Sequence, residues 1–251
     1  MTKSIFWSLL AFLMLSSCED KESQLASISL DFTGVYEDQP LVMLDEQYAY
    51  EDGMDLKFQL FQFYLSDIQL VKSRSANSTQ DLSDIELVSF GEIYNLTDAQ
   101  QGISIKVDNI PPGTYEGIQF GIGVSPDLNA TQPGDYDPPH PLDGHYWSWA
   151  TGYVFTKIEG IADKDSDGTF EEKLTFHIGK DENYRTKFIP QTIEISDNSE
   201  IHLKVDLHQM LVKANGDFLD FRKTSQDHTN DPAIADFLMD NLVESIFMIN
   251  E

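Results

Sequence analysis

Apolar and polar residues alternate along most of the chain, with the two-residue period of half-buried β-strands. The segments "SISLDF" (27–32), "KFQLFQFYLSDIQLV" (57–71), "ISIKVDNI" (103–110) and "IHLKVDLHQML" (201–211) all show it. "IPPGTYEGIQFGIGV" adds turn residues and then a strand from Tyr115 to Val124. "YVFTKIEG" and "KLTFHIG" flank the turn-rich "DKDSDG", which predicts a hairpin. The period changes in "DPAIADFLMDNLVESIF", where Pro232 precedes apolar residues spaced by three and four. That spacing predicts a helix. Many short strands closed by one late helix predict an all-β fold, a Greek-key type β-sandwich with a C-terminal helix.

The beginning of the chain reads differently. "MTKSIFWSLLAFLMLSSC" carries an apolar run from Ile5 to Leu15 and then small residues leading to Cys18. A run this short is a signal-peptide core, too short to span a bilayer. "LSSC" resembles a bacterial lipobox, in which the cysteine is lipidated and becomes the mature N-terminus. Cys18 is the only cysteine and can form no intramolecular disulfide, which favours anchoring as its use. The chain therefore divides into a lipoprotein signal peptide (1–17), an acidic tether (18–27) and a single β domain (28–251). Its expected place is the cell envelope of a Gram-negative type bacterium, lipid-anchored at the periplasmic face or the cell surface. The "EDKE" after Cys18 resembles surface-export signals of some lipoproteins.

Charge narrows the partners. Forty-three Asp and Glu stand against 16 Lys and Arg, a net charge of −27. Such a surface repels nucleic acid and anionic headgroups and draws cations. No Gly-x-Ser-x-Gly elbow, phosphate loop or His-Glu-x-x-His pair occurs, which predicts a binding protein and not an enzyme.

Six histidines bear on metal chemistry, because copper and zinc favour imidazole. His202 and His208, read on one strand, lie roughly 20 Å apart and share no ion. His228, in the polar "SQDHTND", reads as a loop histidine. His177 is different, since Leu174, Phe176 and Ile178 take one strand face and His177 takes the other. If the preceding strand pairs with it as a hairpin across "DKDSDG" in even register, that face continues onto the odd-numbered residues of 145–157, among them His145, Trp147 and Trp149. A symmetric hairpin sets His177 opposite Phe155, and a longer, lopsided one slides it toward Thr151 and Trp149; periodicity alone leaves the register open. His140 sits in "DPPHPL", where prolines hold the backbone extended. In "DKDSDGTFEE", Asp163, Asp165, Asp167 and Gly168 match the start of a calcium loop. Its twelfth position is Leu174, where a bidentate Glu is needed, so Glu171 or Glu172 would have to substitute. An acidic hairpin turn explains the same residues.

"GHYWSWATGYVFTKIEG" followed by "FHIG" resembles the MbnP-like family of copper-binding proteins. "FYLSDIQLV", "IPPGTYEGIQFGIGVSPDLN", "HLKVDLHQML" and "IADFLMDNLVESIF" extend the resemblance over most of residues 27–251. It implies a secreted β-sandwich that binds copper through histidines, among which His140 and His177 are candidates. It also implies oxidation of a tryptophan near the metal to kynurenine by a di-haem, peroxidase-type partner, with Trp147 and Trp149 as candidates. Where relatives commonly read Gly-Met-Tyr-Trp, this chain has His145 in the methionine position. Both side chains bind Cu(I), so His145 joins the candidate ligands. A second function fits the aromatics alone, a surface β-sandwich module that binds a glycan or protein, any metal being structural.

Overall fold

The computed structural model describes residues 24–147 and 152–249. The architecture is predominantly β and sandwich-like, with a nine-stranded sheet, a five-stranded sheet and a helix near the C-terminus. One core cluster joins the two sheets, drawing Leu30, Phe32 and Leu203 from the smaller and Phe58, Phe63 and Phe176 from the larger.

The predicted 57–71 strand extends over Asp55–Ser73 and organises the large sheet. It pairs antiparallel with Gly152–Asp163 along its first half, with Gly117–Ile122 along its second, and with Ser78–Ser89. Every residue from Phe61 to Ser66 is buried, as expected of a strand covered on both faces. In the small sheet Ala26–Tyr36 pairs with Ile103–Ile110 antiparallel and with Ser199–Asp206 in parallel. The helix Pro232–Ser245 begins where its signals fall, with Asp231 accepting the Ala233 N–H and Pro232 in the first turn.

Three expectations need correction. The segment 201–211 is not one strand: it ends at Asp206, and Leu207–Leu211 forms a short helix. The Asp206 carboxylate causes the break by accepting the His208 and Gln209 N–H groups as an N-cap. Ser78–Ser89 is a strand that the alternation did not announce, because its buried residues Leu82, Ile85 and Val88 fall three apart.

The third correction positions the candidate site. The hairpin across "DKDSDG" is present, but Lys157 stands opposite His177, where a symmetric turn predicted Phe155. Nor is 145–157 one strand. Tyr146–Trp147 is a separate short strand, paired antiparallel with Gly152–Tyr153. The Gly152–Asp163 strand can lie this close to the end of its partner because residue 179 is glycine. A Cβ there would sit 2.6 Å from the Tyr153 carbonyl oxygen.

Candidate metal centre

The site is built around His177, in the strand Glu172–Gly179. Its side chain emerges on the face away from Phe176 and Ile178, as the alternation predicts. Glu159 lies diagonally across the hairpin on the same face, and its Oε1 is 2.7 Å from His177 Nε2. A carboxylate only accepts, so Nε2 carries the proton and Nδ1 keeps its lone pair. This is the arrangement that orients metal-binding histidines, with a carboxylate fixing the tautomer from behind. Burial pulls the His177 pKa below the ordinary imidazole value; Glu159 opposes the shift, and His228 and Lys157 add to it. The balance favours the neutral ring that a metal requires.

His228 is the second imidazole. The two-residue strand Gln226–Asp227 pairs in parallel with Glu172–Gly179, Asp227 matching Phe176, which brings the next residue alongside His177. The rings meet edge to face with centroids 4.8 Å apart. Asp227 fixes the loop by accepting the N–H groups of Thr229 and Asp231, and Asn230 Oδ1 accepts the Gly179 N–H at 2.7 Å. Trp147 completes the cluster, with its indole 5.7 Å from the His177 ring and 6.5 Å from that of His228. A cavity of about 220 Å³ adjoins the indole, lined by Asn129, Lys180, Asp181 and Asn230 among others.

His145 and His140 stand elsewhere. Lys157 Nζ lies 2.8 Å from His145 Nδ1, and Gln62 Nε2 lies 3.4 Å from the same atom. An ammonium only donates, so Nδ1 accepts and the proton sits on Nε2. Neither nitrogen then offers a lone pair to a metal. Burial lowers the His145 pKa, Lys157 adds to the effect, and the ring is neutral. Its backbone is left-handed, with φ +58°, an uncommon conformation for a non-glycine residue. His140 likewise spends Nδ1, which accepts the Leu142 N–H at 3.1 Å and caps a short 3₁₀ turn. Its ring stacks on Tyr136 at 4.1 Å. Among the described residues no three-donor set of histidines and carboxylates includes His140, His145 or His177.

Trp149 and Cys18 lie outside the described residues. Asp163, Asp165 and Asp167 do converge, each placing an oxygen within 4.8 Å of the others. Asp163 accepts the Gly168 N–H at 2.7 Å, and Asp167 accepts the Thr169 N–H at 2.7 Å. Burial pushes the Asp163 carboxyl up, but backbone N–H donors from Gly168, Asp165, Asp167 and Ser166 outweigh it and hold it low. Leu174 is buried in its strand, and Glu172 is committed to Lys164 at 2.5 Å and Ser225 at 2.6 Å. These are the bonds of an acidic hairpin turn.

Sequence reasoning singled out His177 and missed His228. The available signal was the "DHTND" run, whose Asp227 forms an Asx-type turn. The pairing that places His228 spans about fifty residues and leaves no periodic trace.

Fold and cluster together define the class, a β-sandwich presenting two imidazoles beside an indole. The family model described as MbnP matches residues 25–231, and the chain belongs to the MbnP family. The match stops at Asp231, before the C-terminal helix. The family is associated with copper, with methanobactin and with the periplasm. No curated protein and no solved structure matches the chain.

Proposed function

We propose that this protein is a non-enzymatic copper-binding lipoprotein of the cell envelope, serving copper capture or handling. His177 and His228 hold the copper beside Trp147. The observation that carries this reading is the Glu159–His177 hydrogen bond, which leaves a lone pair on Nδ1 of a neutral ring that packs against a second imidazole. Two imidazoles suit copper, and the chain's net charge of −27 favours approach of a cation. His145, in the position where relatives commonly carry methionine, acts in this reading as a structural residue held by Lys157.

Copper titration of the purified full chain tests the site. His177→Ala or His228→Ala should weaken binding by about 100-fold or more, and His145→Ala should leave it within about threefold. No binding by a folded wild-type protein would instead favour the glycan- or protein-binding module. That reading has less support, because Tyr153 and Phe155 are buried and Tyr146 and Trp147 are half-buried.

Trp147 is the tryptophan proposed for conversion to kynurenine, since its indole faces both rings. The proposed oxidant is a di-haem, peroxidase-type partner. Peptide mass spectrometry of protein from a host expressing that partner should find the kynurenine mass at Trp147. An unchanged Trp147 there would remove the modification and leave copper binding standing. The anchor is proposed at Cys18. Among the described residues no helix is long and apolar enough to cross a membrane. Cys18→Ala should release the protein from the membrane fraction.

A further inference from the structure

We infer that the small sheet carries a second, independent metal site, in which Asp31, Glu200 and His202 bind a divalent transition-metal ion such as Zn²⁺. The parallel pairing of Ala26–Tyr36 with Ser199–Asp206 sets Asp31 opposite His202 and Ser29 opposite Glu200. Ile28, Leu30 and Phe32 on one strand and Ile201, Leu203 and Val205 on the other point into the core. Asp31, Glu200 and His202 therefore share the outer face. One donor atom from each lies within 4.8 Å of the other two, and His202 Nε2 is 3.5 Å from Glu200 Oε2. Tetrahedral zinc at about 2.0–2.1 Å from its ligands separates neighbouring donors by about 3.3 Å, so small side-chain rotations close the set.

The scaffold is rigid where the donors sit. Ser199–Asp206 is flanked by Ala26–Tyr36 on one side and Ile246–Met248 on the other, and the His202 carbonyl accepts the Ile249 N–H at 3.0 Å. Ser29 Oγ donates to Asp31 Oδ2 at 2.7 Å and fixes the carboxylate's orientation. A cavity of about 380 Å³ adjoins the set, with Glu194, Glu200, His202 and Met248 in its walls. Three protein donors leave a coordination position for water or a small ligand from that cavity. The nearby cations are Lys106, in register with Ser29, and Lys204, two residues beyond His202. A bound ion has to compete with them for the carboxylates. One imidazole with two carboxylates favours Zn²⁺ or Cu²⁺ over Cu(I), so this site differs in preference from the His177–His228 pair.

Zn²⁺ titration of the full chain by calorimetry tests the inference. Wild type and His177→Ala should both show this binding event, whereas His202→Ala and Asp31→Asn should weaken it by about tenfold or more. Both substitutions lie on the outer face, and unchanged near-UV circular dichroism would verify the fold. His202→Gln covers the case in which alanine perturbs the strand. Equal Zn²⁺ affinity and stoichiometry in wild type and the folded His202 variants would overturn the site. So would loss of the event in His177→Ala alone.

Discussion

Lys157 touches one histidine and stands opposite another, and the two imidazoles meet different fates. His145 faces the ammonium and the Gln62 amide, both donors at Nδ1, and its backbone is held left-handed. His177 faces the Glu159 carboxylate, an acceptor, at Nε2. Each ring is half-buried, and burial lowers both pKa values, so both are neutral at pH 7. The difference lies in which nitrogen keeps the proton. A donor neighbour occupies the lone pair of His145, while an acceptor neighbour leaves Nδ1 of His177 its lone pair, in a ring that packs against His228 and Trp147. Residue type and spacing make the two histidines equivalent candidates; their hydrogen-bond partners do not.

That contrast breaks most sharply at Glu159. Glu159→Ala should lower copper affinity by about 10–100-fold, because the His177 tautomer loses its anchor. Glu159→Gln, whose amide oxygen still accepts from Nε2, should fall between the alanine variant and wild type. Equal affinity in all three would mean that the carboxylate does not set the ligand.

The pH dependence of the copper-free protein gives a smaller effect. A histidine whose folded pKa is depressed binds fewer protons when folded than when unfolded. Its contribution to stability is present above the unfolded value of 6.5 and is lost as pH falls from there toward the lowered folded value. Midpoints of urea unfolding should therefore decline as pH drops below 6.5. His145→Gln should flatten part of that slope, since the neighbouring lysine adds to the shift at His145 while Glu159 opposes it at His177. An unchanged slope would show that His145 does not titrate differently on folding.

The sandwich was legible because alternation marks its strands, and Asp231–Pro232 marks the start of the closing helix. Alternation fails where polar groups interrupt it. Asp206 stops a strand that its apolar residues alone would continue, since the carboxylate offers two backbone N–H groups a nearer acceptor. At the site, the facing of His177 followed from Leu174, Phe176 and Ile178 alone. The hairpin register did not, because the turn runs past "DKDSDG" and sets Ala162 opposite Glu172, which carries Lys157 to His177. His228 was hidden for another reason. Its place depends on Asp227 pairing with Phe176 across a long stretch of chain, and no local pattern encodes that contact. The contact of His145 with Lys157 was hidden as well, because the lysine is twelve residues away in sequence.

The most direct measurement is ¹⁵N NMR of the histidine rings in the full chain, before and after loading with diamagnetic Cu(I). His177 should be the Nε2–H tautomer in the copper-free protein, and copper should shift its Nδ1 together with one ring nitrogen of His228. The rings of His145 and His140 should keep their copper-free shifts. Copper-induced shifts at His145 or His140, with His228 unmoved, would contradict it.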